Sequence, residues 1–366
     1  MRRGLHVITG LGVGGAERQL RALLRRLPLA CDVVALTNPG PVAEELRRDG
    51  VRVGHLGMNG NRDPNALPRL ARLIRRGRYD VVHTHLYRAC VYGRVAARMA
   101  GVRAVVATEH SLGAHRIEGR ALTPGVRALY LATERLGAAT VAVSATVAGR
   151  LRDWGVPAGR IHLVPNGIEA GRFGFDPVAR AAERARLGLP GGAVAVGGVG
   201  RLVPGKRFDA LVRAVARLPR EVWLVLAGEG PEREALRALA ARLGAGERVV
   251  LAGARPDVRP LLSALDVFVS PSTEETFGLS VLEALAAGLP VLHAACPAVE
   301  ELPRTAAPGA RRVGPDADGL AAALRAELAL GVRRLPVPQA VERYDIDEAA
   351  RRLMRVYEDV HKEVCR

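Results

Sequence analysis

DVFVSPSTEETFGLSVLEALAAGLPVL, residues 266–292, is the stretch whose reading decides the fold. Asp266–Ser270 is a short apolar, β-branched run, as a buried strand requires. A polar loop follows, a helix is predicted to open at Gly278-Leu279, and LPVLHA (289–294) is again strand-like. Strand, helix, strand with apolar strands is the repeating unit of a parallel sheet. Gly278 lets the backbone come close to whatever occupies the loop, because a Cβ there would block the approach. The amides of Phe277, Gly278, Leu279 and Ser280 are expected to point out of a helix N-terminus, which favours an anion. Glu275 lies just before that terminus and Glu283 about one turn inside it. A pyrophosphate on the amides leaves a carboxylate for hydroxyls on either side. Sugar, diphosphate and ribose in a nucleotide sugar have that layout.

The same alternation runs outward in both directions. LHVIT (5–9), DVVALT (32–37), VRVGHL (51–56), VVHTH (81–85), AVVAT (104–108) and TVAVS (140–144) read as strands. Helical patterns such as Ala16–Leu27, Pro64–Arg76 and Tyr87–Ala100 lie between them. Around 165–192 the pattern lapses into a Pro/Gly-rich connection, then restarts with AVAVGGVG (193–200), VWLVLAG (222–228) and RVVLAG (248–253). The expected fold class is α/β, with two Rossmann-like, doubly wound parallel-sheet domains facing each other across a cleft. The expected bounds are 1–170 and 171–344, with an amphipathic helix over 345–366 packing back on the first. Ligands of such sheets bind beyond the carboxyl ends of the strands, and a cleft between two domains is the default site.

Composition narrows the classes. A chain of 366 residues, 49% hydrophobic, can bury two aliphatic cores, and no apolar run approaches a membrane span. Its opening, Met1-Arg2-Arg3 and then LHVITG, reads as a strand and loop and not as a signal peptide. Four scattered cysteines without a CxxC pair fit a reducing cytoplasm and argue against a disulfide framework or structural zinc. The net charge is +17, unevenly spread: residues 1–170 carry 26 basic and 12 acidic side chains (+14), residues 171–366 the other 28 and 25 (+3). A basic amino-terminal half predicts an anionic partner: a phosphate-bearing acceptor, an anionic membrane surface or nucleic acid. The half lacks the interleaved aromatics on which bases stack, so nucleic acid is not expected.

GVGRLVPGK (198–206) follows the first strand of the second half. The guanidinium of Arg201 and the ammonium of Lys206, either side of a Pro-Gly turn, could hold a diphosphate without a metal. Gly10, Gly12 and Gly15 satisfy G-x-G-x-x-G after the first strand. The second strand ends Leu36-Thr37-Asn38 without the acidic residue a nicotinamide dinucleotide needs. A glycine loop approaching a phosphate remains. His83 and His85 share a strand face, but no further ligand of suitable spacing follows, so a metal is not expected and one of them, His85, is taken to line the acceptor side. His110, after the next strand, is placed to donate to a sugar hydroxyl or leaving oxygen. Asp316-Ala317-Asp318 resembles a metal-binding D-x-D but is better explained as a helix cap. The arginines of LPRLARLIRRGR (67–78) read as a solvated helix face, with a membrane surface as the alternative.

Taken together, GGAER (14–18), YDVVHTH (79–85), VSATVAGRL (143–151), VPNGIE (164–169), GRLVPGK (200–206), AGEGPE (227–232) and Glu-x7-Glu (275–283) make the chain resemble the family 4 glycosyltransferases of GT-B fold, nearly end to end. The resemblance implies transfer of a sugar from a nucleoside diphosphate sugar with retention of anomeric configuration. It implies that Arg201 and Lys206 bind the diphosphate and Glu283 the ribose. Glu275 and the amides near Gly278-Leu279 would meet the sugar. The Gly14-Gly15 loop would lie near the distal phosphate, GAR (253–255), with Arg255, beside the base, and His110 near the reacting centre. It implies no cofactor and no metal. The acceptor would be a saccharide, a lipid-linked saccharide of cell-envelope or exopolysaccharide synthesis, or a soluble small molecule, met by the amino-terminal domain in the cytoplasm or on the inner membrane face. Two departures stand out. Arg207 occupies a position where the family usually has glycine, and PAVEEL after Cys296 replaces a Gly-Gly-x-Pro-Glu run, so no role passes to Glu300 or Glu301. Rival readings are a basic nucleic-acid binder, a catalytically dead scaffold and an epimerase of the same fold.

Overall fold

The computed structural model describes residues 1, 3–60 and 63–365. The chain forms two compact units, Met1–Gly167 with Ile346–Arg366, and Ile168–Asp345. The second is thus inserted between the body of the first and its final helix. Ile168 begins it and Asp345 ends it, paired in a single parallel bridge. The Ile168 N–H also donates to the Tyr344 carbonyl at 2.8 Å. That pairing places the boundary at 167/168, slightly before the expected 170/171.

The first unit contains β1 (Arg3–Ile8), β2 (Ala30–Ala35), β3 (Arg52–His55), β4 (Val81–His85), β5 (Val105–Glu109), the hairpin β6 (Arg116–Ile117) and β7 (Arg120–Ala121), β8 (Ala139–Ala142) and β9 (Ile161–Leu163). Its seven-stranded sheet has the order β3-β2-β1-β4-β5-β8-β9, with every pairing parallel. Helices cover both faces, so the central strands are buried on both sides and read as continuous apolar runs. One face carries the helix Ala66–Gly77, whose Leu70, Ala71 and Ile74 enter the core while Arg72, Arg75 and Arg76 stay exposed. The other face carries the helix Ile346–Cys365, which buries Ala349, Leu353, Val356, Tyr357 and Val360 with Val81, Val106 and Val141. Each large aliphatic side chain so buried contributes ~1.5–3 kcal/mol.

The second unit contains β10 (Val194–Val199), β11 (Val222–Ala227), β12 (Val249–Gly253), β13 (Val267–Ser270), β14 (Val291–His293) and β15 (Ala310–Arg312), in the parallel order β12-β11-β10-β13-β14-β15. Strand order reverses between β10 and β13, where a doubly wound sheet opens a crevice at its carboxyl edge. The loops after those two strands are GRLVPGK and STEETFG.

Sequence reading missed the short hairpin β6–β7, two edge strands and a helix. The edge strands β9 and β15 are three residues each and only partly buried, so they carry no apolar run. The expected Pro/Gly-rich connection contains a helix, Pro177–Arg186, capped by Asp176, which accepts from the Val178 and Ala179 amides at 2.8 and 3.0 Å. Asp-Pro at its start was a legible signal. Arg180 and Arg184 of this helix reach Asp266 at 2.6 and 3.4 Å, and Asp266 accepts the Ala195 amide at 2.7 Å. The buried carboxylate that opens the quoted stretch therefore ties the helix to β10 and β13.

Candidate active site

In the second unit three loops converge at the carboxyl edge. After β10 the chain runs Gly200–Arg207, after β11 Gly228–Glu232, and after β13 Pro271–Gly278. Gly228 and Gly230 let the second loop lie against the first, for a Cβ at either would collide with the Gly200 or the Leu202 carbonyl. Backbone hydrogen bonds lock the contact: Leu202 N–H to Glu229 O at 2.9 Å, Glu232 N–H to Leu202 O at 3.0 Å. This is the structural content of AGEGPE. The third loop is joined to the first by buried Ser272, whose hydroxyl donates to the Gly205 carbonyl at 3.2 Å.

Lys206 and Glu275 form an ion pair across the first and third loops, with side chains 25% and 15% exposed. An ammonium is thus held beside the Gly278 turn, with the exposed Arg201 on the same loop as Lys206. Gly278 has φ 108° and precedes the helix Leu279–Ala286. A Cβ there would run into the Cys296 sulfur, so the turn needs glycine twice over, for its dihedral and for its space. The first N–H groups of any helix lack intrahelical partners, and here they belong to the segment that holds Leu279 and Ser280. Glu283 sits half-buried on the same helix. Phe277 differs from the other expected residues: its ring is buried, in edge contact with Tyr344 at 5.0 Å, and its carbonyl accepts the Ala298 amide at 2.9 Å. Its side chain anchors the loop from the inside and leaves only backbone for a ligand. Arg255 turns toward the helix Pro177–Arg186, with its guanidinium 3.9 Å from Glu183.

Arg207 adopts φ 53°, ψ 32°. The loop keeps the left-handed backbone that glycine would supply, at a cost of ~1–2 kcal/mol for a side-chain-bearing residue. Asp316 caps the helix Ala317–Leu328, accepting the Gly319 amide at 2.8 Å, and Asp318 pairs with Arg217. Both carboxylates of the D-x-D sequence are therefore in structural use.

In the first unit, strand register gathers histidines that sequence spacing did not. His6 on β1 pairs with His83 on β4, and His85 with Thr108 on β5, so His6, His83, His85, Thr108 and, two residues on, His110 share one face. His83 bonds Tyr357 and Thr108 at 2.5 and 2.6 Å. His85 bonds His6 at 2.9 Å and His110 at 3.1 Å. The expectation that His85 lines the acceptor side is corrected here: it is 1% exposed and both ring nitrogens are engaged within the protein. Nitrogens of His6, His83 and His85 lie within 4.8 Å of one another, close enough to raise the question of a metal. Internal hydrogen bonds already account for both nitrogens of His83 and of His85, so we assign none. Burial drives the imidazoles toward neutrality, to about 3 at His6 and about 4 at His110, with His83 and His85 also well below the ordinary value. At neutral pH His110 is a hydrogen-bonding group and not a cation. Gly14 caps the helix Gly15–Leu24 just after β1, and Gly15 is exposed.

Glu118 was also missed. It sits in the β6–β7 turn at φ 51°, and its carboxylate accepts the Tyr87 amide at the start of the helix Tyr87–Met99. Burial, and Glu109 nearby, push it up to about 7, against the pull of that amide, Arg120 and Arg88.

The folds and loops described define a GT-B glycosyltransferase, and comparisons agree. Residues 13–172 match Glycosyltransferase Family 4 and residues 179–334 match Glycosyl transferases group 1. A D-inositol 3-phosphate glycosyltransferase of Xylanimonas cellulosilytica is 34% identical over 78% of this chain and 73% of its own. A GDP-mannose-dependent alpha-(1-6)-phosphatidylinositol monomannoside mannosyltransferase of Mycolicibacterium smegmatis is 30% identical over 76% of each. The crystal structure of Anabaena Alr3699/HepE in complex with UDP and glucose superposes with TM-score 0.85 at 20% identity, covering 98% of this chain and 100% of that one. This chain belongs to the family 4 glycosyltransferases.

Proposed function

We propose that this glycosyltransferase moves a sugar from a nucleoside diphosphate sugar to an acceptor hydroxyl with retention, and without a metal. The observation that carries the reading is the Lys206–Glu275 pair beside the Gly278 turn. Cleaving the anomeric C–O bond develops negative charge on the departing diphosphate. Arg201, Lys206 and the amides around Leu279 and Ser280 stabilise it, each such donor being worth ~3–4 kcal/mol when removed from a preorganised site. Bound diphosphate competes with Glu275 for the ammonium and frees that carboxylate for a sugar hydroxyl. Glu283 takes the ribose and the segment of Arg255 the base. No nucleophile with a base beside it is assigned in the donor loops, so the leaving phosphate oxygen receives the acceptor proton on the same face.

The acceptor we favour is anionic: a phosphate-bearing or lipid-linked saccharide met by the first unit, since residues 1–170 alone carry a net +14. Relatives named for D-inositol 3-phosphate and for phosphatidylinositol monomannoside support that class. The arginines of the helix Ala66–Gly77 supply charge for an anionic surface, but its apolar stripe is spent on the core, so attachment is electrostatic and not by insertion. Among the described residues, no helix is long and apolar enough to cross a membrane.

Thermal shifts with UDP, GDP, ADP and TDP, repeated on Arg201→Ala, test the donor half. Ligand at a hundredfold excess over its Kd adds about 2.7 kcal/mol. One nucleotide is expected to stabilise the wild type and lose that effect in the variant; no shift with any of them refutes the donor site. The anomeric configuration of the product, read by NMR, tests retention.

A further inference from the structure

We infer that His6 and His85 are positioning residues: with His110 they form a hydrogen-bonded chain of imidazoles in which the proton position on His6 sets the tautomer of His110. The chain runs His6 Nδ1 to His85 Nε2 at 2.9 Å, then His85 Nδ1 to His110 Nε2 at 3.1 Å. The His6 and His85 rings stack at 5.2 Å between centroids and 15° between planes, and those of His85 and His110 at 5.4 Å and 29°. His6 and His85 are 1% exposed and His110 8%, so water has little access to either hydrogen bond.

A neutral imidazole carries one N–H and one bare nitrogen. Burial keeps all three rings neutral, so each hydrogen bond contains a single proton and its direction is forced by the next. Two arrangements satisfy both bonds. Either His6 donates to His85 and His85 to His110, which leaves the proton of His110 on Nδ1. Or His110 donates to His85 and His85 to His6, which leaves His110 Nδ1 bare. Any mixed arrangement puts two N–H groups or two lone pairs face to face, and leaving a buried polar group unsatisfied costs ~1–3 kcal/mol. One proton position thus sets whether His110 Nδ1 donates or accepts. His83 packs against the group, with ring centroids 4.1 Å from His85, but both its nitrogens are tied to Tyr357 and Thr108, so it buttresses the chain without joining it.

The catalytic consequence rests on the proposed role of His110 at the reacting centre; the coupling itself does not. If His110 hydrogen-bonds a sugar hydroxyl or the departing oxygen, the wrong tautomer offers a lone pair where a donor is needed, or the reverse. A wrong tautomer at intact geometry is known to be costly to catalysis.

The test is nitrogen NMR of the full chain labelled with 15N-histidine, with ring signals assigned by single substitution. In the wild type His6, His85 and His110 are expected to report one shared ratio of the two arrangements. His6→Phe keeps an aromatic ring but removes the nitrogen at the end of the chain, and should shift the tautomer ratio of His85 and His110 together. His6→Asn returns an amide able to donate or accept near the Nδ1 position and should bring the ratio back toward the wild-type value. Different ratios at the three rings in the wild type, or shifts unchanged in His6→Phe, overturn the inference. Should His6→Phe fail to fold, His85→Gln breaks the link to His110 from the middle, and an unchanged His110 there overturns it equally. Once a donor is identified, His6→Phe should lower kcat at least about tenfold with KM for the nucleotide sugar unchanged, and His6→Asn should recover it. Coupled tautomers in a chain without transferase activity would count against the proposed function and leave the coupling standing.

Discussion

Acidification should destabilise the first unit well above the pH at which most carboxylates titrate. The ordinary histidine value is 6.5, and burial holds His110 to about 4 and His6 to about 3. Below pH 6.5 the unfolded chain takes up protons that the folded chain refuses. The stability these residues contribute is therefore complete above 6.5 and lost as pH falls through that window toward 4 and 3. At pH 5 the loss is about 2 kcal/mol per residue, so ~4 kcal/mol for the two, and His83 and His85 act in the same direction. Glu118 opposes them. Raised from 4.5 to about 7, it keeps a proton the unfolded chain has released, so moving from pH 7 to pH 5 returns about 2 kcal/mol. Glu118→Gln, which keeps an acceptor for the Tyr87 amide, gives up that return, so its loss between pH 7 and pH 5 should exceed the wild-type loss by ~2 kcal/mol. In a domain of this size 1 kcal/mol moves Tm by about 2–4 °C, so Glu118→Gln should lose about 4–8 °C more than the wild type between pH 7 and pH 5. Thermal melts with hydrogen exchange at β4 and β5 would measure it. Equal melts at the two pH values in Glu118→Gln, or a His110 ring titrating near 6.5, would refute the reasoning.

Other perturbations address the donor loops. Lys206→Ala and Glu283→Gln should each lower transfer at least about tenfold without unfolding the second unit; wild-type rates in either would remove its assigned role. Arg207→Asn should be tolerated, since Asn accepts the left-handed conformation, whereas Arg207→Val should cost ~1–3 kcal/mol in denaturant melts. Gly278→Ala adds backbone strain of ~1–3 kcal/mol to an overlap with the Cys296 sulfur of similar size. Adding Cys296→Ala should return the second part only, and simple additivity of the two substitutions would show that the sulfur is not the obstacle.

The fold was legible because both sheets are parallel and buried, so their central strands announce themselves as apolar runs between amphipathic helices. The edge strands β9 and β15 had no such run to read. Lys206, Glu275 and Gly278 could be read as a group because they lie in loops whose place at one edge of a sheet follows from the order of the strands. The histidine chain could not. His6 is 77 residues from His83, and only the register of β1 against β4 puts them side by side. Glu118 was hidden for a different reason: a lone carboxylate in a turn looks like solvent-facing charge until the helix it caps is seen.

The insertion of one unit into the other has a consequence for biosynthesis. The strands of the first unit leave the ribosome first, yet the helix Ile346–Cys365 that closes their histidine face is made after the whole of Ile168–Asp345. The second unit has all its strands in one continuous stretch and can complete its core while the first still exposes Val81, Val106, Val141 and four imidazoles. Translation order and folding order are thus reversed, and the nascent first unit must be kept from aggregating until a segment far downstream arrives to cover it.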